Sequence, residues 1–106
     1  MNLKTVYIAH PLRGNVQENT ERVTSICKDI ATKGEVIPLS PIHAFGFMSA
    51  DGDQTQVMEY CLNLLSKANE LWVFGDWEQS EGCLIEIDYA IENKIPIQFI
   101  GQEKIA

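Results

Sequence analysis

The run TVYIAHPLRGNVQENTERVTSICKDIATKGEVIP, Thr5 to Pro38, decides how the rest of the chain is read. Thr5–Ala9 is β-branched and aromatic, apolar on both faces and short, as a strand buried inside a parallel sheet should be. The turn His10–Gly14 follows. Asn15 with Glu18 three residues on resembles a capping box and opens a helix. Val23, Ile26, Cys27, Ile30 and Ala31 form the apolar stripe of that helix, and Gly34 ends it. Glu35–Pro38 is a second short strand, so this stretch is one strand–helix–strand unit.

The remainder repeats that grammar. Leu39–Gly52 is apolar without a period and reads as loop with a helical turn. Asp53 with Gln56 signals a helix striped by Val57, Met58, Cys61, Leu62, Leu65 and Ala68. Glu70–Phe74 is a third strand, Ser80 caps a third long helix striped by Leu84, Ile87 and Ile91, and Lys94 sits at the end of that helix. Ile95–Ile100 is the last strand. Helices alternating with short two-sided strands call for a doubly wound α/β fold of the flavodoxin or Rossmann kind, with a mostly parallel sheet of four to five strands. Residues 1–106 form a single domain. In such sheets ligands bind at the carboxyl ends of the strands, which singles out His10–Asn15, Ser40–Ala44 and Gly75–Gly82.

Composition narrows the classes of function. The chain is 45% apolar, with 15 acidic against 8 basic residues and a net charge of −7. That balance argues against a nucleic-acid polymer as partner, since phosphate contacts need clustered Lys and Arg. The longest apolar runs are four residues, Val6–Ala9 and Leu71–Phe74, far short of a membrane span. The N-terminus lacks the basic-then-apolar layout of a signal peptide, so a cytoplasmic address is expected. Cys27, Cys61 and Cys83 are odd in number, widely spaced and placed on helical stripes, which reads as buried free thiols. Neither they nor His10 and His43 have metal-ligand spacing, so the reading calls for no metal and no cofactor.

Two loops carry candidate chemistry. In the first, Arg13 and Gly14 stand at a helix start, a setting suited to a phosphate or carboxylate. It is neither a Walker loop nor GxGxxG. In the second, Asp76, Glu78, Glu81, Glu86, Asp88 and Glu92 follow one another with no Lys or Arg between them. Most of these acids are expected in solvent or near the helix N-terminus. Glu86 differs: Gly82 and Ala90 flank it on its own helix face and Tyr89 lies three residues on, leaving room for a ligand to reach a nucleophile or general base.

The segments VYIAHPLRGN, LLSKANELWVFGDWEQSEG, CLIEIDYA and IPI resemble, in that order, the nucleoside 2-deoxyribosyltransferase superfamily, most closely its small bacterial and phage branch. The resemblance implies attack by Glu86 on the anomeric carbon of a nucleoside or nucleoside 5′-monophosphate. A glycosyl ester would then be resolved by water or by a second base. It implies that Tyr7 holds the nucleophile, and that the strand-one loop, with Ala9, His10, Pro11, Arg13 and Gly14, meets the sugar or phosphate. Ser80 and Gly82 belong to the second motif, Asp76 is a candidate acid, and Trp77 could stack on a base or anchor the loop by packing. A homodimer or dimer of dimers with shared sites is implied as well. Where members often carry acids in the middle helix and before the signature glycine, this chain has Cys61 and Ser80, and Asn69 replaces the aspartate before strand three. Those departures favour an alternative, a nucleotide-binding or sensing domain without turnover. A metal-dependent hydrolase on the acidic loop is a third expectation, weaker because the acids lack ligand spacing.

Overall fold

A computed structural model describes residues 2–101 of the chain. Strand β1 (Lys4–Ala9) lies inside a four-stranded sheet of order β2-β1-β3-β4, in which every pairing is parallel. β2 is Val36–Leu39, β3 is Glu70–Val73 and β4 is Ile97–Phe99. Helix α1 (Val16–Lys33) carries the chain from β1 to β2 on one side, and α2 (Pro41–Ala44) and α3 (Thr55–Leu65) bring it back past β1 to β3. Helix α4 (Glu81–Glu92) then links β3 to β4. The order reverses between β1 and β3, as in doubly wound folds, and such a switch point opens a crevice beyond the strand ends.

Local chemistry sets most of these boundaries. The Asn15 side chain accepts from Glu18 N at 3.2 Å, while its amide donates to Glu18 Oε1 at 2.8 Å. Both partners of the expected capping box are thus engaged, side chain to side chain. Gly34 closes α1 at φ 66°, a left-handed position that glycine adopts without cost. Ser80 Oγ accepts from Cys83 N and opens α4, and Ser40 does the same for α2 through His43 N.

Three expectations shift. α3 starts at Thr55 rather than beside Asp53, whose Oδ1 instead takes both Thr55 N and Thr55 Oγ1 in a local turn. α4 stops at Glu92, and Lys94 lies past it at φ 59°, so it is a turn residue and not a cation inside the last helical turn. The last strand is only three residues long, though Pro96 O still accepts from Leu71 N at 2.9 Å.

The alternation of β1 divides the core in two. Val6 and Ile8 point to α1 and pack with Val23. Tyr7 and Ala9 point the other way, to Leu65, Cys61, Cys83, Ile87 and Ala90 of α3 and α4. Burying a side chain the size of Ile8 or Leu65 stabilises by roughly 1.5–3 kcal/mol. No helix among the described residues is long and apolar enough to cross a membrane.

Candidate active site

Tyr7 rises from the centre of β1 into the α3–α4 layer and is fully buried. Its hydroxyl donates to Oε2 of Glu86, one and a half turns into α4. Glu86 is only 6% exposed. Its other oxygen, Oε1, has no hydrogen-bond partner among the described residues, yet no buried side-chain oxygen or nitrogen there lacks one. Oε1 is therefore open, and the opening is a cleft of about 1260 Å³ that Glu86 itself lines. The volume exceeds what a drug-sized ligand usually fills.

Burial dominates the electrostatics of this pair. It lifts the Glu86 carboxyl to about 7, and the Tyr7 hydrogen bond works the other way by favouring the charged form. Tyr7 is driven well above its ordinary range, first by burial and then by the charge of Glu86. Two thiols share the enclosure. Cys61 is pushed up to about 11 and Cys83 to about 12, each by burial first and Glu86 second. Both stay protonated at neutral pH, so the only group here that changes charge near neutrality is Glu86. No cluster of three or more His, Cys, Asp or Glu among the described residues is arranged to hold a metal.

The other wall is the loop after β1. His10 is nearly buried, and its Nδ1 lies 2.7 Å from Pro11 O. A carbonyl can only accept, so Nδ1 carries the proton. Burial also pushes the imidazole below its ordinary value, leaving a neutral ring whose Nε2 is an acceptor. Gly75, at the end of β3, sits at φ 74°, and a Cβ there would lie 3.1 Å from both His10 Nε2 and Pro11 Cδ. Glycine is thus required twice over, by backbone conformation and by the close approach of the two strand-end loops. Asn19 Nδ2 holds the same loop from α1 through Leu12 O at 2.9 Å. Arg13 lines the cleft, is exposed, and makes no ion pair with any described residue. Gly14 beside it needs its φ of 101° to turn the chain into α1.

Of the residues singled out in the sequence, Glu86, His10, Pro11, Arg13, Gly14, Asp76, Ser80 and Gly82 share the cleft. Tyr7 reaches it only through Glu86. Ala9 is sealed in the core, its carbonyl accepting from Phe74 N. For Trp77 the packing alternative is the one seen: its ring packs on Phe99, with centroids 5.0 Å apart, and it lies outside the cleft lining, so it is not placed to stack on a base there. The acidic run also divides. Asp76, Glu81 and Glu86 face the cleft, whereas Glu78, Asp88 and Glu92 do not. Gly82 leaves real space, since a Cβ there would meet nothing closer than Met58 Sδ at 3.7 Å.

Sequence reading missed Asn19 and Arg22. Asn19 occupies a position on the core stripe of α1, four residues before Val23, and a polar residue on an apolar stripe was the available signal. Arg22 also lines the cleft but is held by Glu18 at 2.7 Å.

The fold and site together define a doubly wound α/β domain with an enclosed carboxylate at its switch point. The chain belongs to a family described as a domain of unknown function, DUF7768, whose model matches residues 4–100. No curated protein matches it.

Proposed function

We propose that this protein breaks or exchanges the N-glycosidic bond of a nucleoside or nucleoside 5′-monophosphate, with Glu86 as nucleophile. One observation carries the reading: Glu86 is enclosed, with Oε2 held by Tyr7 and Oε1 free toward a cleft large enough for a nucleotide. A carboxylate so placed is poised to attack an anomeric carbon, forming a glycosyl ester that water or another base resolves. The resemblance of the Tyr7 strand and the SEGCLIE segment to nucleoside 2-deoxyribosyltransferases supports the same chemistry. Arg13 and the first N–H groups of α1 suit a 5′-phosphate at the opposite wall.

Attack requires the ionised carboxylate, so activity should rise with pH through about 7, where Glu86 loses its proton. Glu86→Gln keeps the Tyr7 contact but removes the nucleophile. It should lower release of free base from a panel of ribo- and deoxyribonucleotides by roughly 10³-fold or more. Unchanged release in that variant contradicts the reading.

Cys61 favours a second reading, a nucleotide-binding domain without turnover, because a thiol near 11 beside Tyr7 and Glu86 protonates nothing at neutral pH. Calorimetric binding of a nucleotide with no product by chromatography would select it. We place the protein in the cytoplasm, where its free thiols are at home. We expect small molecules rather than nucleic acid as its ligands, and a homodimer or dimer of dimers as its assembly. Light scattering tests the last point.

A further inference from the structure

The substrate class can be narrowed by asking how the leaving base gets its proton. When an N-glycosidic bond breaks, the bonding pair goes to the base nitrogen. A neutral base then departs as an anion and needs a general acid, whose contribution is typically 10²–10⁴-fold.

Among the described residues, five side chains around the cleft carry a proton or could carry one, and each is already engaged or enclosed. Tyr7 already donates to Glu86, and its hydroxyl is held protonated by burial. Cys61 and Cys83 are enclosed thiols at about 11 and 12. His10 spends its only proton on Pro11 O, and its Nε2, packed close to Gly75, has none to give. Glu86 is committed to attack. Asp76 and Glu81 also line the cleft but stand exposed to water, outside the enclosure around Glu86.

The charge of the cleft points the same way. Asp53, Glu59, Asp76 and Glu81 line it together with Glu86, while Arg22 is occupied by Glu18 and, among the described residues, only Arg13 is left in the lining to oppose them. The nearly buried Glu86, which lines that acidic space and whose Oε1 has no hydrogen-bond partner among the described residues, is matched by a ligand that is cationic at the atom next to the reacting carbon. Arg13 suits an anionic group at the far end.

Resting on the glycosidic reading above, we propose that the preferred substrate is a nucleotide whose base already carries a positive charge, such as an N7-alkylated purine or a pyridinium base. Glu86 Oε1 bonds to C1′ as the C1′–N bond breaks, and the electron pair neutralises the ring, so the base leaves uncharged and unprotonated. Water then adds at C1′, the C1′–Oε1 bond breaks to regenerate the carboxylate, and one proton is released to solvent.

The test compares kcat/KM for N7-methylguanosine 5′-monophosphate with that for guanosine 5′-monophosphate, and for nicotinamide mononucleotide with that for cytidine 5′-monophosphate. Each is measured in the intact protein and in Glu86→Gln, whose folding is verified by circular dichroism. The expected result is a preference of about 100-fold or more for the cationic member of each pair, the range a missing general acid imposes, abolished in Glu86→Gln. Neutral nucleotides turned over within tenfold of the cationic ones, and lost in Glu86→Gln, would overturn this proposal and leave the glycosidic reading standing. Base release from no nucleotide, or release that Glu86→Gln leaves intact, would overturn both.

Discussion

The two faces of β1 are built from alternate residues of one strand and do opposite things. Val6 and Ile8 face α1 in a cluster whose fully buried members, with Val23, are all aliphatic. One residue over, Tyr7 faces α3 and α4, where the core contains two thiols, a phenol and a carboxyl. That face gains stability by excluding water and buries no ionisable group among its fully buried residues. The other accepts the cost of a buried carboxyl because the crevice of the switch point opens there and a ligand can reach it. A small domain can afford such a defect on one face only if the other is sealed.

The contrast can be broken by mutation. Ile8→Ala should cost about 2–5 kcal/mol of stability, read by denaturant unfolding, because a fully buried side chain leaves a cavity. Base release per folded molecule should stay at the wild-type value. A loss of catalysis as large as the loss of stability would mean that the two faces are not independent.

The polar face should show the reverse behaviour, and the sign follows from Glu86. Its carboxyl ionises near 4.5 when unfolded and near 7 when folded. Stability is therefore full below pH 4.5, falls as pH rises toward 7, and is level above it. Glu86→Gln removes that decline. Unfolding at pH 8 should show the variant gaining up to about 3 kcal/mol on wild type, a gain absent at pH 4. A variant less stable than wild type at pH 8 would show that the ionised carboxyl is not a burden.

Tyr7→Phe probes the bond between the two residues. The hydroxyl favours the charged carboxylate, so its removal should move the acid limb of the pH–rate profile upward by about one pH unit or more. A limb that stays in place would separate Tyr7 from the titrating group.

How much of this was legible depended on whether the cause was local. Asn15, Gly34 and Ser80 were readable because a cap satisfies backbone groups within three or four residues of itself. The parallel sheet and the end of it that carries the cleft followed from strands alternating with helices. Glu86 stood out because helical spacing put Gly82 and Ala90 on its face. The same spacing turned Asp88 and Glu92 away from the cleft, although in composition they belong to one acidic run. Trp77 stayed open between a base and a packing partner, and Lys94 was placed at the helix end, because their conformations answer to β4 and to the turn after α4, which sequence spacing does not bring together. The approach of Gly75 to His10 joins residues 65 positions apart and had no local signature.

The most direct measurement is to trap the glycosyl ester. A 2-fluoro-substituted nucleoside 5′-monophosphate slows its resolution, and peptide mass spectrometry locates the adduct. The sugar should be found on Glu86 in wild type and on no residue in Glu86→Gln. Base release without an adduct on Glu86, or an adduct on another residue, would contradict the account.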